Sequence, residues 1–475
     1  MMISDNAIAK PVWAEGPVMA LLIAAVAVVC VALAVSDSMF LLVALGLGLL
    51  LVAVLRFEWF VYGQVFFLPW YPLLGMNIHP RDISLVMHFL LLAGVWIVRG
   101  RKGLSARQWI LGSRTRKGVL IFAAVASLSL LSSALGPNKD SIRSLEQLLS
   151  YVAVFFALAG WIETQEQIEK IIKVLLWSTI GVALFGFCQV VAQGYTDFYF
   201  RLYAFQEDLE EWSGRIVSFL FHFNSLAGYL NLVLPFSFAC MVMAKDRALK
   251  NLALICHSTA LAALYFTGSR GGLIAYAAML LLALFFIKPR RMAVSKILLA
   301  STLAFAIVFA LSREPTTRVK EADEFTVVSR LALWGAAGSM FIEHPVLGVG
   351  YGNYRGLYSD YLPALTPNQL DAHNLYLQLL AETGIIGFAI FCLLAWSFAR
   401  MALKLVRNDD PLFRLLGIAV GGALAATLIH GMVDYLFNVS PQFGALFWLV
   451  MALGLAAFEQ TRKTTEIPPP AKREA

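Results

Sequence analysis

The sequence predicts an all-α fold, a polytopic bundle of 12–14 transmembrane helices with a large loop on one side. Of the 475 residues, 60% are apolar and only 14% are charged, and the mean hydropathy is +0.74. A soluble globular protein has about 45–50% apolar and about 25% charged residues. Here the apolar residues come in blocks of roughly 17–25, the length that spans about 30 Å of hydrocarbon as a helix.

Fourteen apolar blocks follow one another along the chain, but two of them leave a count of twelve or thirteen open. The block at 59–75 contains Pro69 and Pro72, and the block at 145–162 is thin. The first block lacks a clear basic leader, so we expect an uncleaved span rather than a signal peptide. The blocks lie at 17–35, 39–55, 59–75, 83–98, 118–135, 145–162, 171–193, 218–243, 252–267, 271–287, 295–312, 383–403, 415–432 and 442–458.

The distribution of lysine and arginine predicts the orientation of the bundle. With a cytoplasmic N-terminus, 26 of the 37 basic residues fall in or beside cytoplasmic loops, seven of them in the loop at 99–117. Cytoplasmic loops of membrane proteins are enriched in these residues. We therefore expect both termini in the cytoplasm. The net charge of +7 then reflects topology and indicates no nucleic-acid partner.

This layout divides the chain into three regions. Residues 1–210 hold the N-terminal transmembrane helices, residues 211–458 a second transmembrane region with an outward loop at 313–382, and residues 459–475 a cytoplasmic tail. The remaining eleven basic residues run against the charge bias, because they lie in or beside outward loops. They are Arg81, Lys139, Arg143, Arg201, Arg215, Arg270, Arg313, Arg318, Lys320, Arg330 and Arg355.

The outward loop contains three distinct stretches. The segment SRLALWGAAGSMFIEHP at 329–345 is predicted to form an amphipathic helix along the membrane surface. The Gly-rich segment at 347–361 is predicted to form an irregular turn whose backbone N–H groups approach a ligand. The stretch LDAHNLYLQLLAETGIIG at 370–387 runs from a polar start into an apolar helix, with Asp371 as the expected N-cap.

Polar residues from distant parts of the chain are expected to meet at the outer face. Arg270 lies in a very short connection between two spans, and Arg215 is expected to begin the helix that carries Asn224. Ionisable residues at membrane depth are costly and by default mark functional sites. The candidate site residues are His373, Arg215, Arg270, Asn374, Asp434, Arg330, Tyr376 and Asn224.

Four stretches carry a resemblance to a known family: SFLFHFNSLAGYL, TGSRGGLIAY, HPVLGVGYGNY and AHNLYLQLLAETGIIGF, in this order. Over roughly residues 210–440 the chain resembles the O-antigen ligase and O-antigen polymerase superfamily. The resemblance implies a C-type glycosyltransferase fold in the bacterial inner membrane, with a periplasmic loop over an outward cavity. It also implies a donor glycan carried on undecaprenyl diphosphate.

The resemblance implies roles for several candidates as well. His373 would act as the catalytic base or position the acceptor, and Arg215 and Arg270 would bind the donor diphosphate. Asp434 matches an acidic position late in the family pattern. Asn374, Arg330, Tyr376 and Asn224 are kept as supporting residues.

These residue types suit the implied chemistry. A departing diphosphate gains negative charge that fixed cations stabilise, and arginine grips phosphate oxygens in a bidentate fork. Histidine, with a reference pKa of about 6.5, suits proton removal from a sugar hydroxyl near neutral pH. We expect arginine to replace a metal ion, no cofactor, and a single displacement that inverts the anomeric centre. The five cysteines lie in apolar blocks and indicate neither a disulfide framework nor a zinc site.

Three functions stay open at this point. A ligase would move a finished glycan to lipid A–core, and an O-antigen or exopolysaccharide polymerase would move the growing chain onto the next lipid-linked unit. The two differ only in the acceptor. A polysaccharide transporter or flippase is less favoured, because the polar groups crowd one face and the hydropathy pattern has no inverted repeat. Membrane lipids are partners in all three cases.

Overall fold

The computed structural model describes residues 56–74, 80–101, 105–133, 136–192, 215–220, 222–286, 317–362 and 371–466. The predicted spans at 17–35, 39–55 and 295–312 lie outside these residues. The regular elements within the described ranges are all helical. They are two 3-10 helices, Leu68–Leu74 and Ser218–Leu220, and the α-helices α1 (Phe57–Phe67), α2 (Pro80–Arg101), α3 (Ala106–Leu111), α4 (Arg114–Ser132), α5 (Lys139–Trp161), α6 (Gln165–Ala192), α7 (Phe223–Met243), α8 (Arg247–Phe266), α9 (Arg270–Phe285), α10 (Thr317–Glu343), α11 (Tyr354–Tyr361), α12 (Leu375–Val406), α13 (Pro411–His430), α14 (Leu436–Val439) and α15 (Pro441–Glu466).

Nine helices in the described part of the chain are long and apolar enough to cross a membrane: α2, α4, α5, α6, α7, α8, α12, α13 and α15. Helix α9 is also apolar but has only 16 residues. Each of these ten helices overlaps one predicted block. The prediction of a polytopic helical membrane protein is therefore confirmed.

The two doubtful blocks have opposite outcomes. The thin block at 145–162 forms the 23-residue helix α5. The block at 59–75 forms only the 11-residue helix α1, which continues as a 3-10 helix through Pro69 and Pro72. Proline lacks the backbone N–H that an α-helix needs at each interior position. The prediction of a full span at 59–75 is wrong for this reason.

Helix α7 is the centre of the bundle. Of its apolar span, 94% is buried, and it packs against α8, α9, α13 and α15. Its sequence, FNSLAGYLNLVLPFSFACMVM, is apolar on every side, which is the pattern of a helix surrounded by other helices. The residues just before α7 and just after α13 are consequently held by the best-packed part of the protein.

Ion pairs tie together the loops at one end of the bundle. Arg116 at the start of α4 contacts Glu459 of α15 at 2.7 Å, and Arg99 at the end of α2 contacts Glu163 at 2.5 Å. The described parts of the basic loops predicted to face the cytoplasm lie at this end. Glu459 was expected to begin the tail, but α15 continues past it to Glu466. The candidate site residues lie at the opposite end, which is called the outer end below.

A break in α12 fastens the outward loop to the membrane helices. Gly384 has φ 60° and ψ −165°, which interrupts the helical hydrogen-bond ladder. The carbonyls of Ala381 and Glu382 instead accept hydrogen bonds from the N–H groups of Val349 and Gly350, at 2.8 and 3.1 Å. These N–H groups of the Gly-rich turn therefore form hydrogen bonds with α12. The prediction that they approach a ligand is wrong for this pair.

The rest of the outward loop forms a small apolar layer over this break. Helix α10 is longer than the predicted helix at 329–345, and it packs on α11 and α12. The hydroxyl of Tyr354 in α11 donates to the backbone carbonyl of Leu333 in α10 at 2.7 Å. The buried side chains of this layer are Leu333, Ala337, Met340, Val349, Tyr354, Tyr358, Ala372 and Ala381.

The replacement Gly384→Ala tests the helix break. A Cβ at Gly384 would lie 2.4 Å from the backbone carbonyl group of Val346, and its positive φ disfavours any side chain. Such strain costs on the order of 1–3 kcal/mol. We expect the thermal unfolding midpoint in detergent to fall clearly. The matched control is Gly335→Ala in α10, where a Cβ meets nothing within 4 Å. An equal midpoint for both variants would contradict the role of the break.

Candidate active site

The outer end contains a histidine–carboxylate pair whose carboxylate is buried. Nδ1 of His373 lies 3.1 Å from Oδ1 of Asp434. A carboxylate only accepts hydrogen bonds, so the Nδ1–H of His373 is the donor. The neutral imidazole then carries its basic lone pair on Nε2. The Asp434 side chain is 4% exposed and the His373 side chain 26%, so the histidine is accessible from outside the protein but the carboxylate is not.

Neighbouring residues fix the backbone on the C-terminal side of His373. Asn374 is the N-cap of α12, where its Oδ1 accepts the N–H groups of Tyr376 and Leu377. Its Nδ2 donates to the carbonyl of Met432 at 2.9 Å, and the N–H of Leu375 donates to the carbonyl of Gly431 at 2.7 Å. These bonds attach the start of α12 to the loop that carries Asp434.

One prediction about this stretch is corrected by the geometry. Asp371 does not cap α12, because Asn374 is the residue next to the first helical turn. His373 precedes the helix and has a φ of 47°. Tyr376 turns toward α13, where its hydroxyl donates to the carbonyl of Leu428 at 2.7 Å.

The pair shifts the pKa of each partner. Burial alone would lower the pKa of His373, but the hydrogen bond and charge of Asp434, with the charge of Asp371, raise it above the ordinary value. Burial would raise the pKa of Asp434, but His373 holds it well below the ordinary value. The ion pair therefore persists from acidic pH up to the raised pKa of His373.

Arg215 lies in an extended segment before α7, not on the same helix as Asn224. Helix α7 begins at Phe223, so the predicted continuous helix is wrong. The N–H of Ile216 donates to the carbonyl of Phe266 at 3.1 Å, which attaches this segment to the connection between α8 and α9. The guanidinium of Arg215 lies 4.5 Å from the ring centre of Phe223.

Arg270 is the first residue of α9 and is exposed. The short connection before it is held by Ser269, whose hydroxyl donates to Oδ1 of Asn224 at 2.7 Å. A Cβ on the neighbouring Gly271 would meet His430 at 3.2 Å, so this connection packs on the end of α13. Asn224 thus supports the arginine-bearing connection.

The charge of Arg330 acts on His373. Arg330 lies in α10 and is close enough for its charge to act on His373 and on His430. The structure therefore gathers the candidates in one loop cluster. His373 bonds to Asp434, and Asn374 and Tyr376 bond to the backbone at the end of α13. Arg330 acts through its charge, and Arg215, Asn224 and Arg270 lie on the adjacent segments.

His222 belongs to the same cluster and was not among the candidates. It is the N-cap of α7, and its Nδ1 accepts the N–H of Asn224 at 3.1 Å. Burial lowers its pKa to about 4, and the charges of Asp434, His373 and Arg215 act on it. His222 therefore stays neutral at physiological pH, with its proton on Nε2. The sequence offered one signal, a histidine two positions before an asparagine at a helix start.

Among the described residues, no group of three or more His, Cys, Asp or Glu side chains could hold a metal ion. The described cluster includes one histidine–carboxylate pair, a neutral histidine and arginine side chains.

Two comparisons with known proteins find similar sequences. Residues 255–392 match the sequence model of a family described as O-antigen ligase. The teichuronic acid biosynthesis protein TuaE of Bacillus subtilis is 25% identical over 380 residues, which cover 75% of each chain. The predicted resemblance to the O-antigen ligase and polymerase family is confirmed.

The matched region of the O-antigen ligase domain runs from α8 into α12. It includes Arg270, Arg330 and His373. Arg215 and Asp434 lie outside it, on either side, and the fold brings them to the same end of the bundle. The site is thus built partly from residues that flank the matched domain.

The replacement Asp434→Asn should lower the pKa of His373. The carboxylate charge and its hydrogen bond raise this pKa, and without them burial favours the neutral imidazole. The measurement is the pH dependence of diethyl pyrocarbonate modification of His373 in the purified protein, followed by peptide mass spectrometry. The exposed His344 in the same protein is the internal control for the reactivity of the reagent. An unchanged midpoint at His373 would show that Asp434 does not set its pKa.

Proposed function

We propose that this protein is a glycosyltransferase of polysaccharide biosynthesis in the bacterial inner membrane. It moves a glycan from undecaprenyl diphosphate to a sugar hydroxyl on the periplasmic side. The observation that carries this proposal is the His373–Asp434 pair, at 3.1 Å, in a cluster with several arginines. A base beside fixed cations is what a transfer from a lipid diphosphate requires.

His373 acts as the general base. The acceptor oxygen attacks the anomeric carbon and gives its proton to Nε2 of His373, while the bond from that carbon to the diphosphate breaks. Asp434 holds the Nδ1–H and stabilises the imidazolium that forms. General base catalysis of this kind is worth about 10²–10⁴-fold. One displacement inverts the configuration of the anomeric carbon.

The arginines stabilise the departing lipid diphosphate. The leaving group takes the electron pair of the broken bond, so its negative charge grows in the transition state. Arg215 and Arg270, on adjacent outer segments, bind the diphosphate oxygens, and Arg330 adds its charge near His373. Fixed cations in a preorganised site lower the barrier because they need no reorganisation during the reaction. In this proposal the arginines take the place of a metal ion.

The charge of the two bundle ends supports a periplasmic site. The basic loops and their ion pairs lie at the end opposite the histidine pair. Cytoplasmic loops carry the excess of lysine and arginine. Both chain termini are then cytoplasmic and the site is periplasmic.

The acceptor is lipid A–core in our first reading, which makes the protein an O-antigen ligase. The second candidate is a polymerase, whose acceptor is the next lipid-linked repeat unit. One observation favours this alternative: the Bacillus relative is named for the biosynthesis of teichuronic acid rather than for lipopolysaccharide. Donor chemistry and site residues are the same in both cases.

The replacement His373→Ala should abolish transfer while the protein stays folded, because it removes the base. The readout is the lipopolysaccharide ladder and the lipid-linked glycan of a strain that carries only the variant. Bare core with long glycan on the lipid carrier indicates a ligase, and core with a single repeat unit indicates a polymerase. The exposed His344→Ala is the matched control. A normal ladder together with normal amounts of other surface polysaccharides would remove His373 from the mechanism.

The replacement Arg270→Lys should also impair transfer. Lysine keeps the charge but loses the planar fork that grips phosphate oxygens in pairs. We expect a fall in transfer of at least about 10-fold, from the loss of one charge-assisted hydrogen bond of about 1.5–3 kcal/mol. Arg247→Lys is the matched control, since Arg247 is the exposed first residue of α8. Full activity of Arg270→Lys would show that a point charge suffices at this position.

A further inference from the structure

The segment on the N-terminal side of His373 is held by a second ion pair. Nε of Arg355 donates to Oδ1 of Asp371 at 2.8 Å, and its terminal nitrogen contacts Oδ2. The pair is therefore bidentate, which fixes orientation as well as distance. The Asp371 side chain is only 2% exposed, so its charge depends on Arg355 for compensation. Removing one partner of a buried ion pair is strongly destabilising, because it leaves an uncompensated charge.

Arg355 is itself placed by the helix break. It lies in α11, which follows directly on the Gly-rich turn docked against α12. Gln378 completes the connection from the other side. Its Oε1 accepts the N–H of Ala372 at 2.7 Å, and its Nε2 donates to Glu382 at 2.8 Å. The two residues before His373 are thus fastened to α11 and to α12.

His373 occupies the one position between two anchored segments. Its φ of 47° lies in the left-handed region, which is unfavourable for a residue with a side chain. Asn374 and Leu375 fix the chain after it, and Asp371 and Ala372 fix the chain before it. A single free end would let the backbone relax into an ordinary conformation and would turn the imidazole away from Asp434.

We propose that Arg355 and Asp371 are positioning residues, which hold His373 in its left-handed conformation and so aim its imidazole at the acceptor hydroxyl. Neither residue touches the reacting atoms in this proposal. The inference rests on the proposed function for its catalytic consequence. Its structural part, the control of His373 by the Arg355–Asp371 pair, is measurable without any transfer reaction.

The pair also contributes to the charge around His373. The groups that act on its imidazole are Asp434 and Asp371, which favour the cation, and Arg330, which opposes it. His222 faces the same cluster. Exchange of Asp371 for asparagine keeps the shape but removes one of the two favourable charges. Exchange of Arg355 for lysine keeps the cation but removes the fork. The two variants therefore separate charge from geometry.

The test compares Asp371→Asn and Arg355→Lys in the purified full-length protein. In Asp371→Asn, the modification midpoint of His373 with diethyl pyrocarbonate should move to lower pH, and kcat should fall. In Arg355→Lys, kcat should fall at least about 10-fold, since small misplacements of a catalytic group cost up to about 10²-fold. The donor KM should stay within about twofold in both, because the arginines that bind the diphosphate are untouched.

The matched control is Glu163→Gln, which breaks an arginine–carboxylate pair at the opposite end of the bundle. In this variant, the modification midpoint of His373 and kcat should equal those of the wild-type protein. Elution volume and unfolding midpoint show which variants are folded. If Asp371→Asn does not fold, the test rests on Arg355→Lys alone. A kcat of Arg355→Lys equal to that of the wild-type protein then overturns the proposal.

The outcomes separate this inference from the proposed function. A lower midpoint with a lower kcat supports both. A lower midpoint with unchanged transfer supports the control of His373 by Asp371 but removes His373 as the base. An unchanged midpoint and unchanged modification rate in Asp371→Asn overturn the positioning role, whatever the transfer activity is.

Discussion

The break in α12 at Gly384 is the constraint on which the outer half of this protein depends. An unbroken helix would use the carbonyls of Ala381 and Glu382 within its own ladder. The break frees them to accept the N–H groups of Val349 and Gly350 instead. Unpaired backbone groups at membrane depth cost several kcal/mol, so this docking is strongly specified. This docking positions the Gly-rich turn, α11 and Arg355.

The site combines charges that would be costly separately. Asp434 is buried, and its charge and that of the His373 imidazolium stabilise each other. In such an environment electrostatic interactions are stronger than in water. Asp371 also favours the imidazolium, whereas the charge of Arg330 opposes it.

Sequence reasoning succeeded where the signal is local. Apolar blocks predicted the spans, and the short connection before Arg270 was found because the blocks at 252–267 and 271–287 leave only three residues between them. The family resemblance pointed to His373 and Asp434, and in the structure their side chains form a hydrogen bond. The failures share a cause. Asp371 is an acceptable N-cap by type, but its partner Arg355 lies 16 residues away across a turn whose path no local pattern reveals.

Arg215 was misplaced for a related reason. The apolar run before α7 predicts an α-helix, but Ser218–Leu220 form a short 3-10 helix and Ser218 has a φ of 51°. The side chain of Gln189, far away in α6, accepts the N–H groups of Val217 and Ser218 and so stabilises this conformation. Helix propensity does not predict a backbone whose N–H groups are hydrogen-bonded by a side chain distant in the sequence.

Ser218 and His373 are the two residues other than glycine with positive φ in the described part of the chain. Both lie at the outer end, one beside the segment of Arg215 and His222, the other beside Asp434. Strained conformations persist only where their surroundings over-determine them, and they concentrate at functional sites. Here each is held by bonds to helices on both sides. The strain is then the consequence of fixing two loops against each other. In the proposed mechanism, a base fixed in this way loses little further freedom when it meets its substrate.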